Sequence, residues 1–76
     1  MSNHEPALVH SFGLGVRQLR EARGWSQEEL AERADLNRSF IGEIERGVAT
    51  PSLATIGKLA SGLELSPSSL LERCGH

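Results

Sequence analysis

The 76 residues allow one domain with one modest core and leave little room for an enclosed catalytic cleft, so a binding module is favoured over an enzyme. With 38% hydrophobic and 24% charged residues the chain reads as a globular domain; no apolar run approaches the roughly 18 residues of a membrane span, and no secretory h-region opens the sequence. One cysteine, Cys74, excludes an intramolecular disulfide and suits a reducing cytoplasm, while the formal charge of −2, taken alone, argues against a nucleic-acid partner.

Residues 1–10 carry Pro6 and no sustained periodicity, which predicts a flexible arm ahead of a domain spanning 11–73. Ser11 is suited to cap a first helix in which Phe12, Val16 and Leu19 recur at helical spacing until Gly24 stops the run. Ser26, with Glu29 three residues on, has the form of a capping box and opens a short second helix with an apolar stripe of Leu30, Ala31 and Ala34. Asp35 and Leu36 leave space only for a tight turn. Asn37 then caps a third helix that sends Phe40, Ile41 and Ile44 inward and ends at Gly47.

After the Thr50-Pro51 turn, Ser52 caps a fourth helix in which Leu53, Ile56, Leu59, Ala60 and Leu63 repeat at three and four residues. Pro67 fits the first position of a brief fifth helix marked by Leu70 and Leu71. No strand pattern, internal repeat or dividing linker is present. The charges are unevenly placed: Glu28, Glu29, Glu32 and Asp35 lie together, whereas Arg17, Arg20, Arg23, Arg38 and Arg46 sit in segments able to converge on one face. His4, His10, Cys74 and His76, the candidates for a metal site, lie at the two ends without ligand spacing, and no cofactor is expected.

The expected fold is thus all-α, a compact bundle of about five helices. Its second and third helices are joined as a helix-turn-helix, in which one helix can lie in the DNA major groove while its partner crosses the backbone. The run SFGLGVRQLREARGWSQEELAERADLNRSFIGEIERGVATPSL resembles the lambda-repressor-like (Cro/C1, xenobiotic-response-element type) helix-turn-helix family and is especially similar to the controller proteins of restriction-modification systems. The resemblance extends over roughly Ser11 to Leu71 and rests on the FG..VR.LR start, the SQEELA block, the SFI.EIERG block and the TPSL turn.

That resemblance implies a cytoplasmic transcriptional regulator that binds a pseudo-palindromic operator in double-stranded DNA as a homodimer, with RNA polymerase a further partner it admits. It places Gln27 on a phosphate at the start of the second helix, where unpaired backbone N–H groups also favour an anion. It places Arg38, Ser39 and Glu43 on the outer face of the third helix: Arg38 can reach guanine O6 and N7, Ser39 can donate or accept, and Glu43 can accept from a cytosine amino group. Arg46 corresponds to a phosphate contact, with a role at the helix C-terminus as its alternative. Arg20 and Glu45 correspond to an ion pair between the first and third helices, and Leu63, Leu65, Leu70 and Leu71 to a two-fold interface.

Trp25 is read as a core or edge filler rather than a base-stacking group. Two departures stand out: Asp35 occupies a turn position where relatives often carry Gly, and Val48-Ala49-Thr50 lacks the basic residues that many relatives direct at DNA. The acidic total keeps open a second reading, an antitoxin or protein-interaction regulator on the same fold.

Overall fold

The computed structural model describes residues 4–74, which form α1 (His4–Ala22), α2 (Gln27–Ala34), α3 (Arg38–Glu45), α4 (Leu53–Gly62) and α5 (Pro67–Cys74), with no strand among the described residues. His76 and the side chain of His4 lie outside the described part. No described helix is long and apolar enough to cross a membrane.

Helix α1 is longer than its periodicity suggests. It begins at His4, so residues 4–10 extend the helix rather than forming an arm, and Ser11 lies inside it instead of capping it. Residues 1–3 of the expected arm are outside the described residues. Pro6 is compatible because an N–H in the first helical turn has no intrahelical carbonyl to meet. Ser11 Oγ donates to the carbonyl of Cys74 at 3.0 Å and so ties α1 to the end of α5.

The remaining starts are local devices. Ser26 Oγ accepts from the Glu29 N–H at 3.0 Å, Asn37 Oδ1 from Ser39 at 2.7 Å, Ser52 Oγ from Thr55 at 3.1 Å and Ser66 Oγ from Ser69 at 3.1 Å. Each satisfies a donor that the helix itself cannot. Only half of the expected capping box forms, because the Glu29 carboxylate turns forward to Arg33 Nε at 2.7 Å rather than back to the cap.

Asp35 caps the end of α2 in the left-handed region, with φ 57 and ψ 49, and its N–H meets the carbonyls of Ala31 and Glu32. Glu64, one residue past the Leu63 cap of α4, also takes the left-handed region at φ 62, and its N–H meets the Ser61 carbonyl, without any sequence signal having marked it. Asp35→Gly, which removes the Cβ strain of this region, is therefore expected to be neutral or mildly stabilising, whereas Asp35→Val should cost about 1–2 kcal/mol, since Asp tolerates the left-handed region and a β-branched side chain does not. Thermal melts of the two variants decide the matter; equal melting temperatures would contradict a left-handed Asp35.

Val16, Leu30, Ile41, Ile44, Leu59, Leu63 and Leu70 are fully buried at the centre of the bundle. Full burial of one such side chain is worth about 1.5–3 kcal/mol, which decides where Leu63 and Leu70 go. Both are core residues of the single chain and cannot supply an interface, while Leu65 is half-buried against the same core; of the four leucines expected at an interface only Leu71 is exposed, at 43%. Leu53, the first member of the apolar repeat in α4, is 82% exposed at the start of the helix. Trp25 packs half-buried on the core edge with the Arg33 guanidinium 4.0 Å from its ring centroid, and Arg23 donates to the carbonyls of Leu19 and Leu63 at 3.1 and 2.9 Å.

Candidate nucleic-acid interface

Helix α3 has two faces. Ile41, Ile44 and Glu45 are buried, whereas Arg38, Ser39, Glu43 and the capping residue Arg46 are exposed along the other side. At about 100° per residue, positions 38, 39, 42, 43 and 46 fall within one arc, so the exposed polar groups form one stripe. Gly42 lies in the middle of it. A Cβ there would stand 3.1 Å from Arg46 Nη1 and 3.7 Å from Gln27 Oε1, so both side chains fold over the gap that the glycine leaves.

Behind the stripe, Glu45 is held from two helices. Arg20 of α1 donates Nε to Oε2 at 2.7 Å and Nη2 to Oε1 at 3.0 Å, a two-pronged pair whose side chains are only 11% and 3% exposed. Arg20 Nη1 also donates to the Trp25 carbonyl at 2.7 Å, and the hydrogen bonds to Glu45 push the guanidinium pKa further up. The charge-assisted fork fixes the approach of α3 to α1 and, through Trp25, the entry into α2. Gln27, the first residue of α2, donates Nε2 to Glu45 Oε1 at 3.0 Å. Its amide is thereby anchored across the turn, with one Nε2 hydrogen and the adjacent backbone N–H groups of the helix start still available to an anion.

These residues surround a polar cleft of about 280 Å³ lined by Arg17, Arg20, Gln27, Glu45 and Arg46. The structure thus brings Gln27 and Arg46 together on its rim, with Arg38, Ser39 and Glu43 farther along the α3 stripe. Among the described residues, neither Arg38 nor Arg46 is in an ion pair. The exposed face of α3 thus carries two arginines against one carboxylate, Glu43, and is net positive although the chain is acidic overall. The acidic residues Glu28 and Glu32 project from α2 into solvent.

A helix-turn-helix family profile matches residues 16–70, which include every residue of this stripe and cleft. The chain belongs to the helix-turn-helix family. Among its relatives, the control protein C.BamHI of Bacillus amyloliquefaciens is 44% identical over 62 residues, covering 80% of this chain and 76% of that protein. The HTH-type transcriptional regulator SutR of Escherichia coli (strain K12) is 39% identical over 64 residues, covering 84% of this chain but only 36% of SutR. The crystal structure of the restriction-modification controller protein C.AhdI from Aeromonas hydrophila superposes with a TM-score of 0.81 at 45% identity, covering 84% of this chain and 97% of that one.

Within the family frame, one member of the cleft escaped the sequence reading. Arg17 lines the cleft from α1; the sequence marked it only as one of five arginines and as part of the FG..VR.LR run, neither of which assigned it a role. Its position one turn before Arg20 puts both on the side of α1 that faces α3.

Proposed function

We propose that the chain is a DNA-binding transcriptional regulator whose α3 enters the major groove. The observation that carries this reading is the exposed α3 stripe, with Arg38 and Arg46 outside any ion pair, beside the Gln27 start of α2. Arg38, Ser39 and Glu43 meet base edges, and Gln27 and Arg46 hold backbone phosphates on the rim. The relatives support the same role, and C.BamHI and C.AhdI favour control of restriction-modification genes as its specific form.

A homodimer acting on a pseudo-palindromic operator completes the proposal, because two-fold symmetry sets paired recognition helices about 34 Å apart on one side of the duplex. With Leu63 and Leu70 consumed by the core, the face available for pairing is the shallow apolar cleft of about 130 Å³ where Leu8 of α1 and Leu71 of α5 are exposed beside Pro51 and Ile56.

Binding titrations on an inverted repeat from the chain's own upstream DNA, on its single-base variants and over a salt series test the assignment. Arg38→Ala should cost about 1–3 kcal/mol on the operator and flatten discrimination at one base pair per half-site. Gln27→Ala should weaken all variants alike with little change in salt slope, whereas Arg46→Ala should weaken all alike and lower the slope by about one unit per subunit. A uniform loss from Arg38→Ala with altered base preference from Gln27→Ala would reverse the proposed orientation of α3. Sedimentation equilibrium showing only monomer, free and on DNA, would remove the dimer.

A further inference from the structure

The cleft between α1, α2 and α3 has more cationic groups than its internal partner uses. Glu45 engages Arg20 with both carboxylate oxygens and takes Gln27 on Oε1, so its single negative charge is already matched by Arg20. Arg46 and Arg17 remain, one from each side of the opening. Arg17 Nε donates to Glu21 Oε2 at 3.1 Å, one turn along α1, and both side chains are more than half exposed, at 56% and 51%.

An exposed pair of this kind is weak and screened by salt, and it occupies only the Nε edge of the fork, leaving the Nη hydrogens free for a second acceptor. A DNA phosphodiester presented at the cleft offers a full negative charge, and its neutralisation releases condensed counterions. Glu21 offers nothing comparable.

We infer that Arg17 is a phosphodiester-binding residue, parked on Glu21 in the free protein and transferred to the DNA backbone on binding. Glu21 is then a competitor that lowers affinity for every sequence by the same factor. The inference rests on the reading of this face as the DNA-binding one and adds to it a clamp from α1, opposite Arg46. Because Arg17 meets only the sugar-phosphate chain, it carries no base information.

The test uses the intact chain in fluorescence-anisotropy titrations against two labelled duplexes, the operator and one of mixed sequence, over a salt series. Arg17→Ala should lower affinity for both by the same factor, about 3- to 10-fold at low salt, and reduce the salt slope by about one unit per subunit. Glu21→Gln should raise affinity for both a few-fold, and that rise should vanish in the Arg17→Ala background. Both positions are exposed, so melting temperatures close to the parent's confirm that folding is intact.

Unchanged binding by Arg17→Ala overturns the clamp while leaving the wider DNA reading in place. An equal rise from Glu21→Gln with and without Arg17 overturns the exchange, because Glu21 would then act only by long-range repulsion. Failure of the unmodified chain to bind either duplex overturns the DNA reading and this inference with it.

Discussion

Replacing Glu45 with alanine is expected to destabilise the fold by about 3–5 kcal/mol, a large part of the roughly 5–15 kcal/mol typical of a domain. The cost arises less from the lost ion pair than from the guanidinium left behind. Arg20 is only 11% exposed, and without Glu45 it keeps the Trp25 carbonyl as its hydrogen-bond partner while its charge loses its bonded counterion, with only the longer-range Glu21 charge left to offset it. Gln27 loses its anchor at the same time. A double variant, Arg20→Met with Glu45→Leu, should recover most of the stability, because a buried pair replaced by apolar groups of similar volume no longer carries a desolvated charge. It should nonetheless bind DNA poorly, since the Gln27 amide is no longer held. Urea midpoints of the three proteins test this; a loss below about 1 kcal/mol in Glu45→Ala would reduce the pair to the worth of a surface bridge.

Gly13→Ala should also be severe, reversing the usual gain of about 1 kcal/mol for alanine over glycine inside a helix. A Cβ at Gly13 would run into the carbonyl oxygen of Ile44 and stand 3.1 Å from that of Glu45, both backbone atoms of α3. Backbone cannot rotate away as a side-chain tip can, so α1 and α3 must separate; overpacking of this kind costs about 1–3 kcal/mol and occasionally more. Separation would also stretch the Arg20–Glu45 pair that spans the same crossing. Gly57 is the contrasting position, in the interior of α4 with nothing within 4 Å of its absent Cβ. Gly57→Ala should therefore raise stability by about 1 kcal/mol. Melting temperatures that move in the same direction for both substitutions would show that the α1–α3 crossing is not this close.

The second and third helices were legible in the sequence because their boundaries are set within three or four residues of each end. Ser26 and Asn37 bond to N–H groups two or three positions ahead, and Gly24, Asp35 and Gly47 each take a left-handed backbone that their type tolerates. The exposed stripe of Arg38, Ser39 and Glu43 follows from the same periodicity, since it is what remains when Ile41 and Ile44 turn inward. Residues 4–10 failed this reading: no inward apolar stripe distinguishes them, and Pro6 suggests a break unless it is known to lie in the first turn.

By itself, then, the sequence determined five helical segments less the first two turns of α1, the turns around α2 and α3 but not the left-handed Glu64 after α4, and the family to which a run of linked motifs belongs. The tertiary structure decided which surfaces are left over. Leu63 and Leu71 look alike in a list of apolar residues, yet one is sealed in the core and the other open to solvent, because the packing of α4 and α5 against the rest of the bundle selects the covered side. Gln27 and Glu45 are 18 residues apart, and Arg20 and Glu45 are 25, so their convergence on one cleft beside Arg17 depends on how α1, α2 and α3 cross. Capping and periodicity act over one or two helical turns and can be read along a chain, whereas the angle and depth of a helix crossing depend on side chains from distant segments filling a common space.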